Sequence, residues 1–518
     1  MKREDEKQTG ASPGGDDQTP DTAYYDGDCP MCSTFVARLG TDTAVDYRDL
    51  RTDALPDTIA RDEAERLIHV QTREGSTLKG AQAVLHLLER HGRWRWLARF
   101  GRLPVIRSLA DVVYAFIAAN RFYIFGPMQR LYWMKQTLVI ATLIPLWITR
   151  NLWFGETSRF YALTPVVDWL PAINWPLDHV IFGVMAALLL AAFFSSRPRN
   201  YIVAFLAVAV PYSCWDQSRW MPYNFQFAAM FLALALVPWE PRPQSATQNQ
   251  RVSSLAMLSV VIFSIWFWSG LHKVSMRYLT IGFPWLISPF TPYLPEAVLP
   301  VVPVFGLLST PVEAGGALLL LSRRTRALGV LLVTSMHCFI LLVFGPFGHS
   351  FNHSVWSWNV AMIAFCWLCF WRNSAMGWRD VLWGRGAVHK LTTVIFLVMP
   401  ILNYAGMWDD FLSHKLYTWT TKEAEIDILD ESIIPVLPPE MRPWVERVDG
   451  RSFVHVLKWS YSVFESPPYH ADRVFDSVFA KVCETVPSRD AVQLRLFHSP
   501  NLTGTRSRIE VKSCPSEP

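Results

Sequence analysis

The chain has 518 residues, of which 51% are hydrophobic and only 18% are charged. Soluble domains usually carry about 25% charged residues, and the 23 tryptophans also point to a membrane, because Trp and Tyr gather where lipid meets water. This composition excludes a disordered chain, a collagen-like chain and a small disulfide scaffold. The net charge of +4 is too small to argue for a nucleic acid partner.

Residues 1–21 form a polar segment with charges of both signs and no apolar run. Such a segment cannot bury enough apolar surface to fold, so we predict a disordered tail. The same lack of an apolar run argues against a secretory signal peptide, and we therefore expect the N-terminus to lie in the cytoplasm.

Residues 22–127 have the pattern of a small soluble α/β domain. Short apolar alternation predicts strands, longer apolar periods predict helices, and Glu74-Gly75 predicts the turn of a hairpin. The order is β-α-β-(α)-β-β-α, with strands at 22–25, 45–49, 67–72 and 76–79 and main helices at 29–39 and 81–89. Basic and apolar helices follow between Trp94 and Tyr123, a composition typical of a segment that lies on a membrane surface.

Residues 128–405 differ in character, because apolar stretches long enough to cross a membrane recur between short charged or proline-rich loops. We predict a multipass helical domain of eight or nine spans, and hence an integral membrane protein in contact with the lipid bilayer. The spans are expected near residues 133–149, 179–195, 200–215, 223–239, 252–271, 298–321, 327–346, 355–371 and 388–405.

The basic residues between these spans predict their orientation, because Lys and Arg are enriched in cytoplasmic loops. The loops richest in basic residues, at 197–199, 322–326 and 372–390, all fall on the side of the N-terminal domain. Nine spans then place the C-terminal segment on the opposite, outer side of the membrane.

Residues 406–518 predict a small extracytoplasmic α+β domain. An apolar stripe indicates a helix over 472–484, and alternation indicates strands at 492–496 and 507–511. Because disulfides persist outside the cytoplasm, we also predict a bond between Cys483 and Cys514.

Cys29 and Cys32 stand at C-x-x-C spacing, after a predicted strand and at the start of a predicted helix. Backbone N–H groups and the helix dipole at that end favour a thiolate. Cys29 would be the attacking thiol, and Cys32, one helical turn on, would resolve the mixed disulfide. A C-x-x-C pair near a β-α-β pattern is typical of a thioredoxin-like redox motif.

Two other interpretations of the pair remain open, half of a zinc site and two inert thiols. Zinc requires two further Cys or His ligands. The nearest histidines, His69, His86 and His91, do not have ligand spacing. We therefore expect redox chemistry and no metal.

The surroundings of the pair resemble the DCC family, a group of predicted thiol-disulfide oxidoreductases with a thioredoxin-like fold. The resemblance rests on Tyr24-Tyr25-Asp26-Gly27-Asp28-Cys29-Pro30-Met31-Cys32 and continues through 47–50, 78–83 and 114–121. It implies a redox role for Cys29 and Cys32, a turn formed by Asp26, Gly27 and Asp28, and an unknown thiol or disulfide partner. No proline precedes Leu67, where thioredoxins hold a substrate-binding cis-proline, which argues against protein disulfides as substrates.

A lysine closes the fifth predicted span, in the run Gly270-Leu-His272-Lys273. It either reaches back to the membrane surface, at little cost, or acts as a desolvated amine base. Gly270 would let another backbone or a ligand approach closely.

The membrane segment, roughly residues 130–410, resembles the vitamin K-dependent γ-carboxylase and its bacterial relatives, the HTTM (horizontally transferred transmembrane) group. The matches are the Gly-x-x-Lys at Lys273, the run from Asp216 to Trp220, Glu313 and His337. They imply Lys273 as a catalytic base and a quinone as a lipophilic cofactor. His272 beside the lysine and the lack of acidic residues at 275–277 depart from the pattern and argue against carboxylation itself.

Several other polar residues lie in or near the spans. Glu313 and His337 are ionisable groups in apolar segments, which indicates either a functional site or a structural hydrogen-bonded pair. His349, Asn352 and His353 give only a weak metal pattern. Cys366 and Cys369 repeat the C-x-x-C spacing inside an apolar span, where we expect packing rather than redox chemistry.

Together these patterns predict a multi-domain membrane protein, with a thioredoxin-like α/β domain, a polytopic α-helical domain and a C-terminal α+β domain. The leading hypothesis is a membrane-anchored thiol-disulfide oxidoreductase coupled to a quinone-type ligand. The alternatives are a carboxylase-like or quinone-epoxidase-like membrane enzyme with Lys273 as base, and a non-enzymatic transporter or scaffold.

Overall fold

The computed structural model describes residues 20–39, 45–91, 94–126, 128–155, 159–240, 245–384, 386–506 and 508–515. The predicted tail at 1–21 therefore lies almost entirely outside the described residues. The chain divides into two compact units, Met1–Gln129 and Arg130–Pro518.

The first unit is a small α/β domain, as predicted. Its elements are β1 (Asp21–Tyr25), α1 (Pro30–Leu39), β2 (Val45–Asp49), α2 (Arg61–Ala64), β3 (His69–Gln71), β4 (Thr77–Lys79), α3 (Ala81–Arg90), α4 (Arg95–Gly101) and α5 (Pro104–Ile124). The sheet order is β2-β1-β3-β4, with β1 and β2 parallel and the other pairs antiparallel. On β1, Ala23 lies between Tyr47 of β2 and Val70 of β3 and is fully buried. The strand β1 therefore lies in the hydrophobic core of the domain.

Two consecutive helices, α4 and α5, complete the first unit and meet at a bend of 101°. Their outward side carries exposed apolar residues, among them Trp96, Val105 and Val112. The inward side of α5 holds Tyr114 and Arg121, both of which bond to the domain. A helix with one exposed apolar face is typical of a segment that lies against lipid.

The second unit contains both long and short helices. They are α6 (Gln129–Ile148), α7 (Leu177–Phe194), α8 (Arg199–Ser213), α9 (Pro222–Ala235), α10 (Ser245–His272), α11 (Phe283–Ile287), α12 (Val302–Phe305), α13 (Gly316–Leu321), α14 (Arg326–Phe344), α15 (Ser354–Phe370), α16 (Trp378–Leu382) and α17 (Ala387–Thr393). Short 3-10 or π-helical turns join several of them, at Glu296–Val301, Gly306–Leu308, Pro311–Gly315, Val394–Val398 and Met399–Ala405.

Among the described residues, six helices are long and apolar enough to cross a membrane, or up to seven if α4 and α5 count as one bent span. They are Gln129–Ile148, Leu177–Phe194, Gln248–His272, Glu296–Leu321, Arg326–Phe344 and Ala387–Ala405. The other three predicted spans coincide with α8, α9 and α15, which have 15, 14 and 17 residues. At 1.5 Å per residue these helices are shorter than a hydrocarbon core of about 30 Å.

A glycine sets the closest approach between α10 and the π-helical turn Pro311–Gly315. A Cβ atom on Gly270 would lie 2.6 Å from the backbone nitrogen of Ala314 and 2.9 Å from Cβ of Glu313. Thr310 donates a hydrogen bond from Oγ1 to the Gly270 carbonyl at 2.9 Å. The expectation that another backbone approaches at Gly270 is therefore confirmed.

The C-terminal part of the second unit is built on an antiparallel five-stranded sheet of order β6-β7-β5-β8-β9. Its elements are β5 (Glu423–Ile428), β6 (Val445–Val448), β7 (Arg451–His455), α18 (Val456–Phe464), α19 (Asp472–Cys483), β8 (Val492–Phe497) and β9 (Ile509–Ser513). The predicted Cys483–Cys514 disulfide is formed and ties the end of α19 to the residue after β9.

Replacing Gly270 with alanine should destabilise the second unit, because neither the Ala314 backbone nor the helix can move away cheaply. Overpacking of this kind typically costs about 1–3 kcal/mol. The measurement is the unfolding midpoint of the detergent-solubilised full-length protein.

Gly183→Ala on α7 is the matched control, because a Cβ there meets nothing within 4 Å. That variant should be neutral or slightly more stable, since alanine favours helix over glycine. Equal midpoints for the two variants would contradict the close approach at Gly270.

Candidate active site and buried ionisable residues

The candidate site lies where β1 ends and α1 begins. The backbone N–H of Cys29 donates to the Asp26 carbonyl at 3.0 Å, which closes a tight turn through Gly27 and Asp28. The Gly27 N–H donates to Oδ1 of Asp49 at 2.9 Å. A Cβ on Gly27 would lie 1.9 Å from that carboxylate, so any larger residue here would displace the Asp49 side chain. Pro30 is the first residue of α1, where its missing N–H costs no helical bond.

The two thiols form one hydrogen-bonded pair with opposite pKa shifts. The pKa of Cys29 is lowered to about 6, chiefly by a hydrogen bond from the Cys32 thiol and further by the Cys32 backbone N–H and the positive charge of Arg121, against the effect of burial. That N–H lies 3.5 Å from Sγ of Cys29. The pKa of Cys32 is raised by its bond to Cys29 and by burial. This polarity agrees with the predicted roles of attacking and resolving thiol.

The cysteine with the lower pKa is the more buried of the two. Cys29 is 0% exposed, whereas Cys32 is partly exposed. Attack on an external disulfide requires contact with the thiolate sulfur. A substrate therefore reaches Cys29 only after a local movement at the start of α1.

A buried carboxylate and two arginines surround the pair. Asp26 is 4% exposed and accepts hydrogen bonds from Arg51 at 3.1 Å and from Arg121 at 3.3 Å. Arg121 also donates to the carbonyls of Glu65 and Arg66 just before β3. One side chain from α5 thus joins the β1–α1 turn to the loop that precedes β3.

Sequence reasoning assigned no role to Arg51, Arg121 or Tyr114, although the family resemblance extended over residues 114–121. Tyr114 accepts a hydrogen bond from the Ile68 N–H at 3.1 Å. Together with Asp26, Cys32 and Arg121 it lines a small cavity beside the thiols. Only the fold brings these residues to the site, because α5 follows β1 by about 80 residues.

In the second unit, Lys273 and Glu313 form a buried ion pair. The two charged atoms are 2.8 Å apart, and each side chain is 7% exposed. Ser269 accepts further hydrogen bonds from Lys273, through Oγ at 3.0 Å and its carbonyl at 3.3 Å. Lys273 therefore lies inside the protein and is bonded there, rather than reaching back to the membrane surface.

Glu313 and His337, which the sequence grouped together, have different partners. His337 accepts at Nε2 from the Trp266 indole at 2.8 Å and bonds Oδ1 of Asn359 through Nδ1 at 2.8 Å. Both ring nitrogens are thus engaged by neutral groups. Of the two interpretations left open by the sequence, the structural Glu313–His337 pair is not formed, because Glu313 binds Lys273 instead.

His272 and Asp216 hold positions around these helices. The His272 ring stacks on Tyr404 with centroids 4.9 Å apart. Asp216 caps the turn Gln217–Arg219 by accepting from the Ser218 N–H at 3.0 Å, and it is ion-paired with Arg159. Its contacts are those of a residue that holds a loop together.

The weak metal pattern is not supported within the described residues, where no three potential ligands converge. His349 bonds the Trp285 carbonyl at 2.8 Å, and His353 pairs with Glu465 at 3.0 Å. Cys366 and Cys369 are free thiols buried in α15, as expected for packing.

Residues 23–127 match a family model described as a DCC1-like thiol-disulfide oxidoreductase. Neither a curated protein nor a solved structure matches the chain. The similarity covers the described site and supports a thiol-disulfide redox role for the first unit. The matched residues do not include 128–518, and the likeness of that part to the HTTM group rests on the sequence pattern.

Proposed function

We propose that the protein is a membrane-anchored thiol-disulfide oxidoreductase in which Cys29 and Cys32 cycle between dithiol and disulfide. The Cys29 thiolate attacks a substrate disulfide, forms a mixed disulfide and releases the first substrate thiolate. Cys32 then loses its proton and attacks Sγ of Cys29, which releases the second thiolate and forms the Cys29–Cys32 disulfide. Two electrons pass to the substrate in each cycle, and a dithiol partner restores the reduced pair.

The hydrogen-bonded thiol pair carries this proposal. A thiolate with a pKa near 6 is largely ionised at neutral pH, whereas an ordinary cysteine is not. Two inert buried thiols would both have raised pKa values. The match of residues 23–127 to an oxidoreductase family is independent support.

The proposed anchor is the second unit. Nine spans, namely the six long helices together with α8, α9 and α15, would place the first unit in the cytoplasm and the C-terminal sheet on the outer side. Six described helices have the length and composition to span a membrane. The Cys483–Cys514 disulfide favours an oxidising location for the C-terminal part, while Cys29 and Cys32 are free thiols. Non-enzymatic transport or scaffolding stays an alternative.

A second candidate function is base chemistry at Lys273 on a lipophilic quinone-type ligand in the membrane domain. The buried pair with Glu313 favours it, because a proton could pass between two atoms 2.8 Å apart without changing the net charge of the pair. An amine acts as a base only without its proton, so this function requires that transfer first.

Reactivity of Cys29 should rise with pH through about 6, because the thiolate is the nucleophile and its fraction grows as pH passes the pKa. Cys32 should stay unreactive over the same range. The measurement is iodoacetamide labelling of the reduced full-length protein, mapped by mass spectrometry at each pH. If the labelling of both cysteines followed the same pH profile, the opposite pKa shifts of Cys29 and Cys32 would be contradicted.

Two arginine variants act as controls for that profile. Arg121→Gln removes a positive charge that lowers the Cys29 pKa, so the midpoint should move to higher pH, with partial rescue in Arg121→Lys. Arg51→Gln also removes a partner of Asp26 but should leave the midpoint in place. Equal shifts in both glutamine variants would show that the charge of Arg121 does not act on Cys29.

Disulfide reduction should depend on both thiols in different ways. With dithiothreitol and a small aromatic disulfide, Cys29→Ser should abolish catalysis above background, because no attacking thiolate remains. With the aromatic disulfide alone and no dithiothreitol, Cys32→Ser should trap a mixed disulfide at Cys29, which intact-mass measurement detects. Cys338→Ser, at an exposed free cysteine of α14, is the matched control and should keep full activity. Full activity of Cys29→Ser would refute the proposed function.

Replacing both members of the ion pair distinguishes a stabilising role of Lys273 from its proposed role as a base. Lys273→Ala alone should lower stability by about 3–5 kcal/mol, since it leaves the Glu313 charge buried without its partner. The double variant Lys273→Met/Glu313→Leu should recover stability in thermal unfolding. If that variant retains full quinone-dependent thiol oxidation, the base role is wrong.

A further inference from the structure

A large aromatic cavity lies in the second unit, apart from the Lys273–Glu313 pair. Its volume is about 750 Å³, and it is lined by residues 350–355, 415–419 and 421–424 and by α18, among others. Cavities of about 300–1,000 Å³ are the usual size of ligand sites. Trp285, Trp358 and Trp419 form part of the wall, whereas Lys273 and Glu313 do not.

The polar centre of this cavity is built around one amide. Nδ2 of Asn352 donates to Oη of Tyr417 at 2.7 Å and to Oη of Tyr461 at 3.1 Å, and Oδ1 of Asn352 accepts from Ser354. Each phenol oxygen accepts the amide N–H through one of its lone pairs. The O–H of each phenol therefore stays available as a donor. Burial raises the pKa of both tyrosines, which keeps those protons in place.

A third phenol of the wall, Tyr223, is 7% exposed. Its hydroxyl group interacts with the side chains of Thr149 and Ser466. The phenol donors left for a ligand are those of Tyr417 and Tyr461, and they favour a ligand that brings a hydrogen-bond acceptor.

The charged residues of the wall disfavour an ionic ligand. Its lysines and one of its glutamates have ion-pair partners: Lys415 with Asp410, Lys422 with Asp472, Lys458 with Glu446 and Glu423 with Arg506. The other glutamate, Glu465, bonds His353 at 3.0 Å. No unpaired lysine in this wall is left to bind an anion, and the ligand that fits best is neutral.

The backbone around the cavity is unusual. Eight described non-glycine residues have positive φ, and five of them line this cavity: Ser350, Asn352, Tyr417, Trp419 and Glu465. For residues such as Tyr and Trp this conformation costs on the order of 1–3 kcal/mol each. Such residues collect at ligand clamps and active sites, because selection for a precise wall outweighs their cost.

We propose that this cavity binds a neutral lipophilic carbonyl compound, with its apolar body against the tryptophan wall and its carbonyl oxygen accepting from Tyr417 and Tyr461. Both phenol oxygens lie within 3.1 Å of the same nitrogen, so both can reach one oxygen. A carbonyl oxygen has two lone pairs and no proton, which suits two donors.

Benzophenone and diphenylmethane test this proposal, because they share an apolar body and differ by the carbonyl group. Binding to the full-length protein in detergent is followed by quenching of tryptophan fluorescence and by competition between the two probes. Benzophenone should bind about tenfold more tightly than diphenylmethane. Irradiation should attach it to residues that line the cavity, as mapped by mass spectrometry.

Tyr417→Phe and Tyr461→Phe keep the aromatic wall and remove one donor each. Each should weaken benzophenone binding several-fold and leave diphenylmethane binding unchanged, which also shows that the cavity is still folded. Tyr293→Phe, at an exposed residue outside the cavity, is the matched control and should change neither.

Three results would overturn the proposal: equal affinity for the two probes, photolabelling elsewhere, or phenylalanine variants with unaltered benzophenone binding. The probe comparison on the unmodified protein decides the matter even if a variant fails to fold. Binding should be the same in Cys29→Ser, so the outcome does not depend on the proposed thiol chemistry.

Discussion

The chemistry of the first unit depends on one hydrogen bond, between the thiols of Cys29 and Cys32. A single proton held on Cys32 stabilises the Cys29 thiolate, which is why the two pKa values move in opposite directions. The same bond makes Cys32 a poor nucleophile in the resting pair. Once Cys29 has formed a mixed disulfide, its negative charge is gone, and the main reason for the raised pKa of Cys32 is gone with it. The charge on Cys29 therefore ensures that the attack by Cys29 comes before the attack by Cys32.

The surroundings hold that bond in place through groups distant in sequence. Gly27 leaves room for the Asp49 carboxylate to receive its N–H, which fixes the turn before Cys29. Arg121 connects Asp26 with the carbonyls before β3 and adds positive charge near the thiolate. With Arg121 already bonded to the loop before β3, this loop is held by a side chain at a place where thioredoxins use a proline. The same packing buries Cys29, so a substrate reaches its sulfur only after a local movement of the chain.

Local sequence predicted the elements of the first unit well, because each strand and helix there has a clear period and a turn at its end. The strand Val45–Asp49 and the order of all elements agree with the structure. Local sequence reasoning missed β5, although Ala424, Ile426 and Ile428 alternate with acidic residues there, because Asp and Glu are uncommon in strands. The carboxylates of Glu425 and Asp427 lie at buried positions because Arg451 pairs with them across the sheet. Arg121 was overlooked because its partners are set by tertiary structure.

The polar groups buried in the second unit are of two kinds, and the difference bears on where a ligand binds. Lys273 and Glu313 satisfy each other, so a ligand must break or share that pair to gain a contact. The phenols around Asn352 have donors left over, so a ligand there gains bonds without losing any. A ligand in the aromatic cavity gains hydrogen bonds without breaking any, whereas a ligand at the ion pair must first break a bond. The aromatic cavity is therefore the more favourable binding site.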